Sequence, residues 1–166
     1  MRGKKAPVRE ILPDPKYNSV VIAKFINYIM LDGKKSIAQG IIYDAMDEID
    51  RLLKEKKIAG AENIKNAQDF LDVLLEKVTP MVEVKSRRVG GSNYQIPMPV
   101  RGNRRYYLSF NWLIEAARAR KGKEMYKRLV DEMLDSFAGT GATIKKKEDV
   151  YRMAEANRAF AHLARF

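Results

Sequence analysis

The sequence predicts a mainly α fold, a six-helix bundle with a protruding two-stranded antiparallel β ribbon. Three observations predict it. Apolar residues recur every three or four positions through most of the chain, the period of a helix that buries one face. Between Val82 and Val100 the period changes to two, and Gly90-Gly91 stands where the alternation turns back. Pro80, Gly122 and Gly139 punctuate the remaining stripes at intervals suited to short helical connections. With 166 residues, 46% of them hydrophobic, the chain can build a core within one domain. Residues 1–17 read as a basic extended arm. Residues 18–166 read as a single helical domain carrying the ribbon at about 81–100. There is no internal repeat, and no apolar run is long enough to span a membrane.

The elements follow in order. Pro7, Pro13 and Pro15 remove donors and restrict their predecessors, so the arm is not helical. Ser19 is the expected cap of a first helix reaching about Met30, with Ile22, Phe25, Ile26 and Ile29 on its buried side. After the Asp32-Gly33 turn a second helix starts near Lys34, and its stripe runs Ile37, Ile41, Ala45, Glu48, Ile49 and Leu52, interrupted only by the Glu. It fades before Gly60. Asn66 is the expected cap of a third helix, buried through Phe70, Val73, Leu74 and Val78 and stopped by Pro80. The ribbon follows. Pro97 and Pro99 cannot donate to a ladder and so place the return strand at an edge. Such a ribbon, alone in water, is marginal and is expected to be mobile until bound. Asn103 is the expected cap of a fourth helix packing through Leu108, Trp112, Ala116 and Ala119. A fifth helix carries Tyr126, Leu129, Val130, Met133 and Phe137. Thr140 to Ile144 reads as a small-residue loop. A sixth helix is expected from about Lys147, with Glu148 and Asp149 at its positive end and Val150, Met153, Ala154, Asn157 and Ala161 on its face.

Charge is distributed unevenly. The formal net charge is +11, yet Asp44 to Glu76 holds nine acidic residues against five basic ones. That acidic face is expected to point to solvent or to a basic protein neighbour. From Val84 to Ile114 there is no Asp or Glu at all. Lys85, Arg87, Arg88, Arg101, Arg104 and Arg105 lie in that window with Tyr94, Tyr106 and Tyr107. One-signed charge keeps its self-repulsion unless a polyanion relieves it. Further basic clusters occupy the arm (Arg2, Lys4, Lys5, Arg9), the first turn (Lys34, Lys35), the junction of helices four and five (Arg118, Arg120, Lys121, Lys123) and the start of helix six (Lys145, Lys146, Lys147). Long cationic side chains at helix ends and connections can meet phosphates. Tyrosines and arginines on loops suit unstacked bases and irregular RNA shape, and no reading helix for a DNA groove is evident. Apolar stripes committed to a core leave none for a membrane surface.

Catalytic chemistry finds no support. There is no cysteine, and the lone His162 cannot assemble a metal cluster or a relay. No phosphate-binding loop of the GxxxxGK[ST] or GxGxxG kind occurs, and Gly139-Thr140-Gly141 follows a helix instead of preceding one. The acidic pairs lie opposite apolar stripes, where solvated carboxylates are expected. The chain is therefore expected to be neither an enzyme nor a holder of a metal or cofactor.

Several long motifs resemble one family. They are Ile11-Leu12-Pro13-Asp14-Pro15, Phe25-Ile26-Asn27, Met30 to Lys35, the stretch from Val82 to Pro97, Lys145 to Val150 and Met153 to His162. In order and nearly end to end, the chain resembles the bacterial-type small-subunit ribosomal protein seven family. The resemblance implies a structural constituent of the small ribosomal subunit in the cytoplasm. It implies binding to the head domain of small-subunit rRNA, where the family nucleates head assembly. It implies that the ribbon tip, Arg88, Val89, Gly90, Gly91, Ser92, Asn93 and Tyr94, approaches exit-site tRNA and mRNA. Neighbouring small-subunit proteins are implied as partners, including number eleven. The alternative is a translational repressor binding its own mRNA. Three places depart from the family pattern: a longer link from Lys54 to Asn66, Asn111 where arginine is common, and the ending from His162 to Phe166.

Overall fold

The computed structural model describes residues 3, 6 and 9–165. Its elements run α1 (Val20–Ile29), α2 (Lys35–Lys54), α3 (Ala67–Val78), β1 (Val82–Val89), β2 (Ser92–Pro99), α4 (Asn103–Ala119), α5 (Met125–Phe137) and α6 (Ala142–Ala156), closed by a 3₁₀ segment at Arg158–Arg165. The mainly α class with an antiparallel hairpin is as expected, and the 3₁₀ segment is an addition to it. The arm residues Arg2, Lys4 and Lys5 lie outside the described residues.

The core forms where the apolar faces of α1 to α5 meet. Phe25, Ile42, Phe70, Phe110, Leu113 and Leu129 are all but fully excluded from solvent. Phe25 and Phe110 stack at 4.6 Å between ring centroids, and Phe70 and Phe137 at 4.8 Å. These pairs fasten α1 to α4 and α3 to α5. Ser19 caps α1 as expected, its hydroxyl accepting from the Ile22 N–H at 3.4 Å.

Several local expectations are corrected. The α2 stripe is borne out at Ala45 and Ile49, with Ile41 and Leu52 half-buried against the core, but it starts one position later than expected. Ala38, Ile42, Ala45, Met46 and Ile49 are buried, whereas Ile37 is 59% exposed. The expected stripe and the observed one are both helical in period, and contact with α1 and α5 selects between them. Asn66 does not cap α3 with its side chain; the Asp50 carboxylate of α2 accepts from the Ala67 N–H at 2.6 Å instead. Asn103 is the first residue of α4, not its cap. The chain enters that helix through Gly102, whose φ of 56° disfavours a side chain. The α4 helix has two buried sides. Phe110, Leu113 and Ile114 join the main core, while Leu108 and Trp112 form a smaller cluster with Val100 and Val150. Ala119, expected on the buried side, is exposed.

The α6 helix begins five residues before Lys147, so the expected loop at Thr140 to Ile144 is already helical beyond Gly141. The reason lies in α5. The buried Glu132 carboxylate accepts from the Thr143 N–H at 2.9 Å and from its hydroxyl at 2.7 Å, supplying the partner that a free helix start lacks. Glu148 and Asp149 therefore lie beyond the first turn. On the outer side of α6, Met153 is half exposed, because only Ala154 and Thr143 of this helix are fully buried.

Close approach at this junction requires a glycine. A methyl group on Gly141 would lie 2.8 Å from the Ser136 backbone nitrogen and 2.9 Å from its Cα. Gly141→Ala is expected to lower stability by about 1–3 kcal/mol through overpacking. Adding Ser136→Ala should not restore it, since it removes the obstructing Ser136 hydroxyl but leaves the two backbone atoms in place. Recovery of the denaturant midpoint in the double variant would refute this explanation.

The ribbon is not a bare projection. Val89-Gly90-Gly91-Ser92 closes it, with φ of 57° at Gly90 and 93° at Gly91, the two left-handed residues of a type I′ turn. Val100 donates its N–H to the Met81 carbonyl, so by alternation Pro97 and Pro99 turn their nitrogens to the free edge. The 3₁₀ segment packs along β2, and Phe160 meets Tyr94 at 5.2 Å between ring centroids. Ile96 is fully buried. The expectation that the tip buries little holds for Arg88 and Gly90 to Asn93, and fails for Val89 and Tyr94, both half-buried.

Candidate nucleic-acid interface

The candidate cations sit at the α1–α2 turn, on the ribbon, at both ends of α4 and at the start of α6. At the start of α4, Arg104 donates through Nε and Nη2 to Glu83 of β1 at 3.0 and 2.9 Å. Lys85 meets the other oxygen of the same carboxylate at 2.9 Å. Burial would push the Glu83 carboxyl up, but Lys85 and Arg104 hold it below the usual carboxylate range. This one acid fixes the base of the ribbon against α4. Arg104 also lies over the Tyr107 ring at 4.5 Å. At the far end of α4, Arg118 donates to the Ile29 carbonyl that ends α1, at 3.1 Å. The turn carrying Lys34 and Lys35 follows directly.

The candidates divide by what already holds them. Arg120 is committed inside the protein: it donates twice to Glu132, at 3.0 and 2.7 Å, and once to Asp135. Burial works against its charge, yet Asp135 and Glu132 hold it protonated more firmly than an ordinary arginine. Lys123 pairs with Asp131, Lys146 with Glu115, and Lys147 donates to the Lys77 carbonyl. The contacts of Lys146 and Lys147 tie the start of α6 to α4 and α3. By contrast Lys34, Lys35, Arg87, Arg88, Arg101, Arg105, Lys121 and Lys145 have no carboxylate partner among the described residues, and neither does Arg9. All of these but the half-buried Arg87 are exposed. At the ribbon tip Arg88 stands across from Asn93, and Arg87 across from Tyr94.

The acidic stretch is more than a solvated face. Asp47 accepts from Lys16 at 2.7 Å and from the Tyr17 hydroxyl at 3.2 Å. Asp14, itself buried, accepts from the backbone N–H groups of Lys16 and Tyr17 and from the Tyr43 hydroxyl. The root of the arm is thereby docked on α2. Glu48, Glu55, Arg51 and Lys57 pair among themselves on the exposed side. The link from Lys54 to Asn66 also docks, with Ile58, Ala61 and Ile64 against the core.

The sequence reading overlooked Lys24 and Asn27. Two polar residues three apart in the otherwise apolar α1 were the available signal. In the structure both line a cleft of about 250 Å³ with Ile11, Tyr28, Asn103 and Tyr106. Among the described residues no group of acidic side chains and histidine could hold a metal ion, and no helix is long and apolar enough to cross a membrane.

Comparison with known proteins gives the family that the chain resembles. The sequence model of the family described as Ribosomal protein S7p/S5e matches residues 1–158. The chain is 52% identical over 161 residues to the small ribosomal subunit protein uS7 of Acinetobacter baylyi, covering 97% of each chain. It is 53% identical to the protein of that name from Francisella tularensis subsp. holarctica and 49% identical to that from Desulfatibacillum aliphaticivorans, with the same coverage.

Proposed function

The chain belongs to the Ribosomal protein S7p/S5e family, a structural and non-enzymatic one, and on that premise we propose that it is a constituent of the small ribosomal subunit that binds small-subunit rRNA. As such a constituent it binds the head domain of that rRNA and nucleates head assembly. The ribbon tip from Arg88 to Tyr94 then approaches exit-site tRNA and mRNA, and neighbouring small-subunit proteins, including number eleven, are its protein contacts. The observation that carries the RNA reading is the set of exposed cations with no acidic partner, gathered at the α1–α2 turn, the ribbon, the start of α4 and the α4–α5 junction. A protein that needed these charges only for solubility would be expected to mix signs there, as it does on the outer side of α2.

The internally held cations take a different part in this reading. Arg120, Lys146 and Lys147 set the angle of α6 and the α4–α5 junction, and so place Lys121 and Lys145 toward phosphate. Filter binding to a small-subunit rRNA transcript across a salt series tests the division. Arg101→Ala and Arg105→Ala should each lower the salt slope by about 0.7–1 for every phosphate left unneutralised. Lys57→Ala, which removes a cation paired with Glu55, should leave the slope unchanged. Equal slopes for all three variants would sink the assignment. Absence of the protein from small subunits and their precursors on sedimentation would sink the function as a whole.

A further inference from the structure

We propose that the cleft between α1 and the start of α4 is a pocket for one unstacked nucleobase of an RNA strand. The inference rests on the rRNA-binding reading above and names a contact within it. Three features of the cleft point to a base and not merely to a phosphate.

The walls are aromatic and fixed from beneath. Tyr106 stacks on Phe110 at 6.0 Å between centroids, and Tyr28 leans on the same ring at 5.7 Å. Phe110 is fully buried, so both tyrosines are held in place before any ligand arrives. A rigid ring at the rim of a cleft offers a stacking surface to any base.

The polar groups are suited to a base edge. Asn27 is half buried, yet its amide has no hydrogen-bond partner among the described residues, and it faces the cleft. Its geometry offers a donor and an acceptor side by side, the pairing that an adenine edge or any amide-like edge of a base accepts. Asn103 supplies a second amide from the opposite wall, and its oxygen already accepts from Lys24 at 3.0 Å.

The charge is positive and unspent. Lys24 has no carboxylate partner among the described residues and lies over the Tyr106 ring at 5.0 Å. Held by a neutral amide and a ring face, its full charge remains for a phosphate. Among the described residues no carboxylate lines this cleft. The neighbouring hollow beyond Asn103 and Tyr106 is different, since Asp72 and Glu76 line it with Arg105. There burial and the nearby Asp69 and Glu76 raise the Asp72 carboxyl above its ordinary range. A strand is thus directed to the Lys24 side.

The test measures affinity and salt slope for a small-subunit rRNA transcript, with thermal unfolding of each variant as a check on folding. Asn27→Ala and Tyr106→Leu should each weaken binding about tenfold with the slope unchanged, because the group removed is neutral and meets a base. Tyr106→Phe keeps the ring and should bind as the parent does. Lys24→Met should lower the slope by about 0.7–1. Parent-like affinity in both Asn27→Ala and Tyr106→Leu overturns the pocket while leaving RNA binding intact. Failure of the parent protein to bind the transcript overturns the RNA reading itself, and the pocket with it. A free nucleotide shares the same chemistry, so titration with AMP, GMP, CMP and UMP separates the sources. Saturation by a mononucleotide at concentrations where the transcript binds would overturn the assignment to an RNA strand.

Discussion

Glu132→Ala is expected to cost about 3–5 kcal/mol of folding stability, the range for removing one partner from a buried charge pair. Glu132 is fully buried, and its two oxygens serve three elements. One accepts from Arg120, and the other from Thr143 twice and from the Ser136 hydroxyl at 3.2 Å. Truncation leaves the guanidinium with Asp135 alone as its carboxylate partner and the first turn of α6 without its acceptor. Glu132→Gln, which keeps the shape and one oxygen, should lose less. The pH dependence carries a sign. Burial alone would raise the Glu132 carboxyl, but Thr143 and Arg120 together hold it below its ordinary value of 4.5. In the unfolded chain it therefore takes up its proton at higher pH than in the folded one. The carboxylate's contribution is fully present above about pH 4.5 and is lost as the pH falls through the depressed value. Urea midpoints of parent and Glu132→Gln should differ by a constant amount near neutrality and converge in acid. A gap that widened in acid would contradict the linkage.

Phe110→Ala is the second large expected loss, about 3–5 kcal/mol for an aromatic removed from a packed core. The ring is in contact with Phe25, Tyr28 and Tyr106, so its removal opens a cavity between α1 and α4. It also frees the two tyrosines that wall the cleft. Stability and RNA affinity should fall together, whereas Phe110→Leu, which refills part of the volume, should recover part of both. A stable Phe110→Ala protein with parent-like midpoint would show that α1 and α4 are held by something other than this stack.

Both variants bear on the interface. Its cations are exposed, but the geometry that presents them is set by buried groups. Glu132 fixes the approach of α6 to α5, and Phe110 fixes that of α1 to α4. Substitutions at either place should therefore alter binding without touching any group that meets RNA.

What could be read from the chain alone was whatever depends on local pattern. Period three and four gave the helices, period two and Gly90-Gly91 gave the ribbon, and Ser19 gave a cap, because these are properties of neighbouring residues. The run from Val84 to Ile114 without a carboxylate pointed to a polyanion for the same reason, since repulsion among its arginines needs no knowledge of the fold. Partners distant in sequence were beyond that reach. Asp50 caps α3 from 17 positions away, and Glu132 starts α6 from 11. The start of the α2 stripe was misplaced, at Ile37 instead of Ala38, because two helical stripes fit the sequence there and only packing separates them. Among the cations, sequence marked the clusters, but only the tertiary structure decided which remain free. Arg120 is spent on Glu132 and Asp135, while Lys24, unremarkable in sequence, keeps an unpaired charge beside Tyr106. Charge is written residue by residue, but its neutralisation depends on which carboxylate the fold brings within a few ångströms.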